Sequence, residues 1–352
     1  MRLHTQSFFT ALVTLSILGA SGQALAEQNG AKLRVVGTQA TYASIAQFVG
    51  GDRVTVDYIV RGDQDPHFVR PRPSLAQKLT HADLFISTGL DLELWAPSLI
   101  DMSRNKEIRS GQRRYVSASQ GVRMLEIPQT KSREGGGVHI YGNPHIQTSP
   151  LNSRIIAKNI ATGLSNIDPE GRAIYTKNYE RFCAEIDRRL YGEDLVRLIG
   201  AATLNRLAER PTRLMSFLEE RQYQGRPLSE HLGGWLKQGM PFRGRTVVAY
   251  HKNWAYFGEL FGLKIRNYVE PRPGIPPSPR HVEEVVKQMR EEDIGVIIAA
   301  NYYDETRVNS IAQKVGAKAV IVPVGVGGTP AARDYFSLID VIVSSIARAF
   351  PQ

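Results

Sequence analysis

Apolar positions along the chain follow two different periods. Short β-branched runs at Leu33–Val36, Val54–Val60 and Asp83–Ser87 read as buried strands, and three-or-four spacings predict helices near Ala43–Val49 and Ser74–Ala82 between them. Strands alternating with helices are the signature of a parallel sheet. A second series repeats the arrangement, with strands at Thr246–Tyr250, Lys264–Val269, Val296–Ala300 and Ala319–Val322. Helices are predicted near Val282–Glu292, Thr306–Val315 and Tyr335–Ala349. Between the two series, Ser153–Leu164 and Pro169–Tyr191 read as helices, the second with Asp168 as N-cap and Pro169 at its first position. Its stripe Tyr175, Tyr179, Phe182, Ile186, Leu190 predicts one face buried along its whole length. The expectation is an α/β protein of two lobes, each a parallel sheet flanked by helices, with a first lobe over 27–168, a linking helix over 169–191 and a second lobe over 243–352. Residues 192–242 form a helical insertion to which the pattern assigns no role, although the Gly225-Arg226-Pro227 turn and Gly233-Gly234 punctuate it.

Residues 1–26 stand apart. Arg2, the apolar run Phe8–Leu18 and the small-residue ending Ala24-Leu25-Ala26 form a secretory leader, so a periplasmic location is expected. No run is long enough to span a bilayer. The single cysteine, Cys183, excludes an intramolecular disulfide, and no cysteine stands at position 27 for lipid attachment; the expected form is a freely diffusing monomer. Cys183 falls in a helical pattern and reads as a small buried hydrophobe. At 352 residues and 42% hydrophobic content the chain can bury two cores. The net charge of +10, reduced by one when Arg2 leaves with the leader, is spread over 104–133, 206–226 and 243–245. It carries no aromatic and basic stripe, which argues against nucleic acid. A polar, charged loop begins near Gln129 and ends at Gly135-Gly136-Gly137.

The chemistry lies in three of the eight histidines. His67 sits in DQDPHFVRPRP, beyond the strand ending at Val60, where loops after strand ends line a ligand crevice. His145 sits in GNPHIQTSP between Pro144 and Pro150, and His251 in AYHKNWAYF at the end of a strand. Three imidazoles in pre-shaped turns, completed by an oxygen donor or water, suit a tetrahedral zinc site and not the oxygen cages of calcium or magnesium. His81, His231 and His281 read as surface histidines. Trp254, Tyr256 and Phe257 read as a core that also orients the His251 ring.

The segments DPHFVRPRP, GNPHIQTSP and AYHKNWAYF, in this order and separation, resemble the three histidine motifs of the zinc and manganese class of solute-binding proteins of ABC importers. GTQATYASIAQFVGGDRV, ADLFISTGLDLELW, NIDPEGRAIYTKNYERF and YVEPRPGIPPSP share the likeness, which covers most of the mature chain. The resemblance implies two lobes joined by a rigid helix, a divalent metal held between them by His67, His145 and His251, and delivery to an inner-membrane permease. A histidine at 251, where manganese members often have a carboxylate, favours zinc over manganese as the cargo. The chain departs from the family twice: Thr148-Ser149-Pro150 replaces the usual Leu-Asp-Pro, and Val324-Gly325-Val326-Gly327-Gly328 offers no side-chain oxygen where many members bring an Asp ligand. The fourth ligand stays open among Glu270, Asp65, Asp304 and water. The long histidine-rich loop of some zinc receptors is also missing; His139 is an accessory candidate near that place. A zinc hydrolase with Glu270 as its base, or an adhesin or metal buffer on the same fold, are the competing readings. Proton competition with three imidazoles is expected to weaken metal binding as pH falls through about 6.5.

Overall fold

Helices cover both faces of β1 (Leu33–Gln39), which is why it is buried from Val35 to Gln39 without alternation. In the computed structural model, which describes residues 32–128, 139–270, 272 and 274–351, the first lobe continues with α1 (Ala40–Gly50), β2 (Val54–Val60), α2 (Pro73–Thr80), β3 (Leu84–Ser87), α3 (Ala96–Ser103) and β4 (Tyr115–Ser117). The leader, with His4, and the polar loop ending at Gly137 lie outside the described residues. The four strands pair in parallel in the order β2-β1-β3-β4. β4 and α3 are additions to the predicted elements: three residues are too few to show a period, and α3 makes barely two turns.

α4 (Pro150–Ile167) and α5 (Arg172–Tyr191) follow. The linking helix starts three residues later than predicted. Asp168 accepts from the Gly171 N–H and so caps a 3-10 turn over Pro169–Gly171, while its carboxylate pairs with Arg53 at 2.8 Å. On α5, Tyr175, Phe182, Ile186 and Leu190 are buried as the stripe predicts, Tyr179 is half-buried, and Cys183 is buried. Burial pushes the Cys183 thiol pKa up, which keeps it unreactive.

The insertion folds as α6 (Glu193–Ile199), α7 (Ala201–Ala208), α8 (Pro211–Glu220), a short antiparallel hairpin of β5 (Gln222–Tyr223) and β6 (Arg226–Pro227), and α9 (Gly234–Gln238). It braces the linking helix. The backbones of Gly192 and Gly233 cross so closely that a side chain on Gly192 would strike Gly233, and the Gly233 N–H donates to the Tyr191 carbonyl at 2.8 Å. Trp235 Nε1 then donates to Asp340 at 2.7 Å, and Arg189 pairs with the same carboxylate.

The second lobe runs β7 (Thr246–Ala249), α10 (Ala255–Phe261), β8 (Lys264–Tyr268), α11 (Pro279–Glu291), β9 (Val296–Ala300), α12 (Glu305–Gln313), β10 (Lys318–Val322) and α13 (Tyr335–Ala347). Its parallel order, β8-β7-β9-β10, repeats that of the first lobe.

The cores are not two. The largest apolar cluster runs continuously from Tyr42 and Ile45 through Ile160, Phe182 and Val247 to Ile339 and Val343, so the inner sheet faces share one helical layer. Two smaller clusters, around Phe85 and Leu99 and around Ile297 and Met289, fill the outer faces. Phe336 on α13 meets Phe48 of α1 and Phe182 of α5 with ring centroids 5.6 and 5.1 Å apart, a packing that ties the lobes together.

Candidate metal centre

His67 and His145 are presented by the same local device. In Asp65-Pro66-His67 the Asp65 carboxylate accepts from the His67 backbone N–H at 3.0 Å and from its ring Nδ1 at 2.6 Å. In Asn143-Pro144-His145 the Asn143 Oδ1 accepts from the His145 backbone N–H at 2.9 Å and from its Nδ1 at 3.0 Å. Each is an Asx turn that folds back on a histidine two residues later, with proline holding the backbone between them. Asn143 escaped the sequence reading, although the repeated Asx-Pro-His tripeptide was the signal for it. Beyond Asp65, Pro66 offers its carbonyl to Trp95 Nε1 at 2.9 Å.

His251 lies two residues past the end of β7 and has no such turn. Its Nδ1 donates to the backbone carbonyl of Glu270 at 3.1 Å. Trp254, Tyr256 and Phe257 are core residues as predicted, but it is this carbonyl that bonds the His251 ring.

Loops at the carboxyl ends of both sheets bring the three rings together: His67 lies 5.3 Å from His145 and 5.2 Å from His251, centroid to centroid, and His145 lies 5.6 Å from His251. One ring nitrogen from each falls within 4.8 Å of the others. His145 and His251 are fully buried, and the Nε2 atoms of both have no hydrogen-bond partner among the described residues. An unpaired buried polar atom costs about 1–3 kcal/mol, so two of them facing one point call for a ligand. Burial holds both rings neutral: it drives the His145 pKa well below 6.5 and that of His251 down to about 3, and the neighbouring His67 adds to both shifts. Neutral imidazole is the form that ligates. For these two rings, proton competition therefore moves far below the pH of 6.5 expected from the sequence.

The three oxygen candidates are otherwise engaged. Asp304 caps α12, accepting from Thr306 and Arg307 N–H groups. Asp65 lies behind the His67 ring; burial is the largest influence and opposes its ionisation, but the hydrogen bonds and charge of His67, with a smaller contribution from His251, together lower its pKa. Glu270 accepts from the Gly274 N–H at 3.0 Å and stands 4.0 Å from Nδ1 of His251, with burial raising its pKa. His139 also approaches the cluster, its Nε2 3.2 Å from Nε2 of His67 and its Nδ1 bonded to Asp91 at 2.8 Å. His81 is exposed, His231 is half-buried, and His281 bonds the Tyr268 carbonyl, so none of these joins the cluster.

Asn143 also crosses the cleft. Its Nδ2 donates to the Lys252 carbonyl at 2.7 Å, and the Tyr256 hydroxyl donates to its own carbonyl at 2.8 Å. One side chain thus orients His145 and ties it to the turn that carries His251.

Two parallel-sheet lobes on a shared helical layer, with an imidazole cluster where their loops meet, define a two-lobe cleft-type binding protein. The chain belongs to the family of the periplasmic zinc-uptake complex component A, ZnuA, whose sequence model matches residues 35–189 and 230–349 and passes over 190–229 within the insertion. This is a family of solute-binding proteins of ABC importers and not an enzyme class. Curated relatives include the manganese ABC transporter substrate-binding lipoprotein PsaA of Streptococcus mitis, 31% identical over 46% of this chain and 50% of that protein. The metal ABC transporter substrate-binding lipoprotein ScbA of Streptococcus cristatus is 30% identical over 51% of this chain and 57% of that one. The chain thus spans about half the length of the curated relatives it matches. Among solved structures, a zinc-bound ZnuA deletion mutant superposes with a TM-score of 0.65 at 20% identity, covering 91% of this chain and 99% of that one. A manganese-bound periplasmic metal-binding protein of Candidatus Liberibacter asiaticus gives 0.63 at 19% identity, covering 91% and 100%. At these identities the likeness establishes the two-lobe fold.

Proposed function

We propose that this chain is the substrate-binding component of a metal-ion ABC importer, taking zinc as cargo on His67, His145 and His251 and handing it to an inner-membrane permease. The observation that carries this reading is the pair of buried, unpartnered Nε2 atoms of His145 and His251 beside His67. Nitrogen donors favour zinc over manganese by ligand type and by intrinsic affinity order, so manganese is the weaker ligand of this site. Capture and release need no nucleophile, and the carboxylate a hydrolase would use, Glu270, is bonded to Gly274 on the Nδ1 side of His251. The shared core and the aromatic contacts of Phe336 support small closing motions in place of wide hinging.

The leader and the periplasmic location belong to the same proposal. No helix among the described residues is long and apolar enough to cross a membrane. The curated relatives are named lipoproteins, which is at odds with the freely diffusing form expected from the sequence.

The test is elemental analysis with zinc and manganese titration of the mature chain beside a His67→Ala, His145→Ala, His251→Ala triple variant. One tight zinc equivalent that is lost in the variant is the expected result. Equal zinc binding by both proteins overturns the site.

A further inference from the structure

The contact between His67 and His139 has an unusual polarity. Their Nε2 atoms are 3.2 Å apart and their rings lie 5.2 Å centroid to centroid at 30°. Each Nδ1 faces a carboxylate, Asp65 at 2.6 Å and Asp91 at 2.8 Å, and a carboxylate only accepts. With Nδ1 of each ring directed at its carboxylate, the two Nε2 atoms are left facing one another. Nε2 is thus the atom each ring can offer to a metal, and one cation between them would engage both. Two imidazoles on one tetrahedral zinc, each with a bond of ~2.0–2.1 Å, stand about 3.3–3.4 Å apart, close to the separation seen here.

Asp91 is built to hold that ring. Its other oxygen accepts from the Ile140 N–H at 2.9 Å, fixing the backbone on the far side of His139. The loop that bears it is pinned by the buried Glu93 carboxylate, which receives the hydroxyls of Thr38 and Thr88, both at 2.7 Å, and of Ser87 at 3.1 Å.

We propose that His139 is the fourth ligand of the cleft metal and Asp91 its positioning residue, so that the site offers four imidazole nitrogens and discriminates against manganese. The proposal rests on the reading of His67, His145 and His251 as ligands. His139 stands next to His67 and farther from His145, with centroids 6.1 Å apart, so binding includes a rotation of its ring toward the common point.

Zinc K-edge X-ray absorption of the loaded protein counts the ligands directly. Four imidazoles in the wild type, and three plus one oxygen in His139→Ala with one equivalent retained, is the expected pair of results. Affinity should fall about 10–100-fold in Asp91→Asn, the range seen for outer-shell partners. His139→Asp should narrow the zinc-to-manganese affinity ratio by at least 10-fold. Circular dichroism of each variant controls for folding. A wild-type spectrum of three imidazoles and an oxygen, unchanged in His139→Ala, overturns the proposal. His67→Ala separates the two levels: if it too leaves zinc binding intact, the underlying three-histidine reading has failed, whereas if it abolishes binding while the wild-type spectrum shows three imidazoles and an oxygen, only His139 is excluded.

Discussion

The two lobes share a strand order and differ in how they present a ligand. In the first, histidines stand in turns whose own side chains, Asp65 and Asn143, fix both backbone and ring. In the second, His251 leaves a strand end and is held by a main-chain carbonyl. Repetition of topology has not repeated the chemistry. A carboxylate behind an imidazole strengthens it as a donor and costs its own desolvation; a backbone carbonyl orients the ring with less charge. The first lobe therefore carries the charge-assisted part of the site, and the second closes it with one neutral donor.

Removing that single donor should have the largest effect. His251→Ala is expected to weaken zinc by more than ~100-fold, beyond the range of outer-shell changes. His281→Ala, whose ring only bonds the Tyr268 carbonyl, should leave affinity unaltered in the same calorimetric titration. Comparable losses in both variants would contradict the site.

A smaller effect tests the difference in presentation. Asp65→Asn should cost about 10–100-fold in zinc affinity. Glu270→Gln should cost far less, because His251 bonds the Glu270 main chain and not its carboxylate. If Glu270→Gln proves the more damaging of the two in competition with a chelator, the lobes have been assigned the wrong roles.

The smallest effect is on stability. His251 has a folded-state pKa of about 3 against about 6.5 unfolded, so between these values the unfolded chain binds a proton that the folded chain refuses. Its contribution is complete above pH 6.5 and declines as pH falls toward 3. By pH 5 the loss from His251 is about 2 kcal/mol, and His145 shifts stability in the same direction. Thermal melts of chelator-treated protein should show a lower Tm at pH 5 than at pH 7.5, with a reduced difference in His251→Phe; a pH-independent Tm would mean these rings are solvated.

Much of this was legible along the chain. β-branched runs marked seven of the eight strands of the two sheets, since buried parallel strands must be apolar on both faces. The spacing on α5 predicted its buried stripe, because a helix repeats every 3.6 residues wherever it packs. Proline-bracketed histidines pointed to three pre-shaped turns, a local property that a few residues encode.

Tertiary structure decided the rest. Whether His67, His145 and His251 meet depends on which strand ends face each other, and their separations of 78 and 106 residues are fixed by packing of the two lobes on one helical layer. The start of α5 was set by Asp168 choosing the Gly171 N–H and Arg53, a competition between partners that no periodicity reports. The insertion found its place through Gly192, Gly233 and Asp340, contacts made across the chain. Burial, with the neighbouring His67 adding to it, makes His145 and His251 neutral, and burial is a property of the assembled molecule: the sequence supplied imidazoles, and exclusion of water keeps them in the form that can ligate.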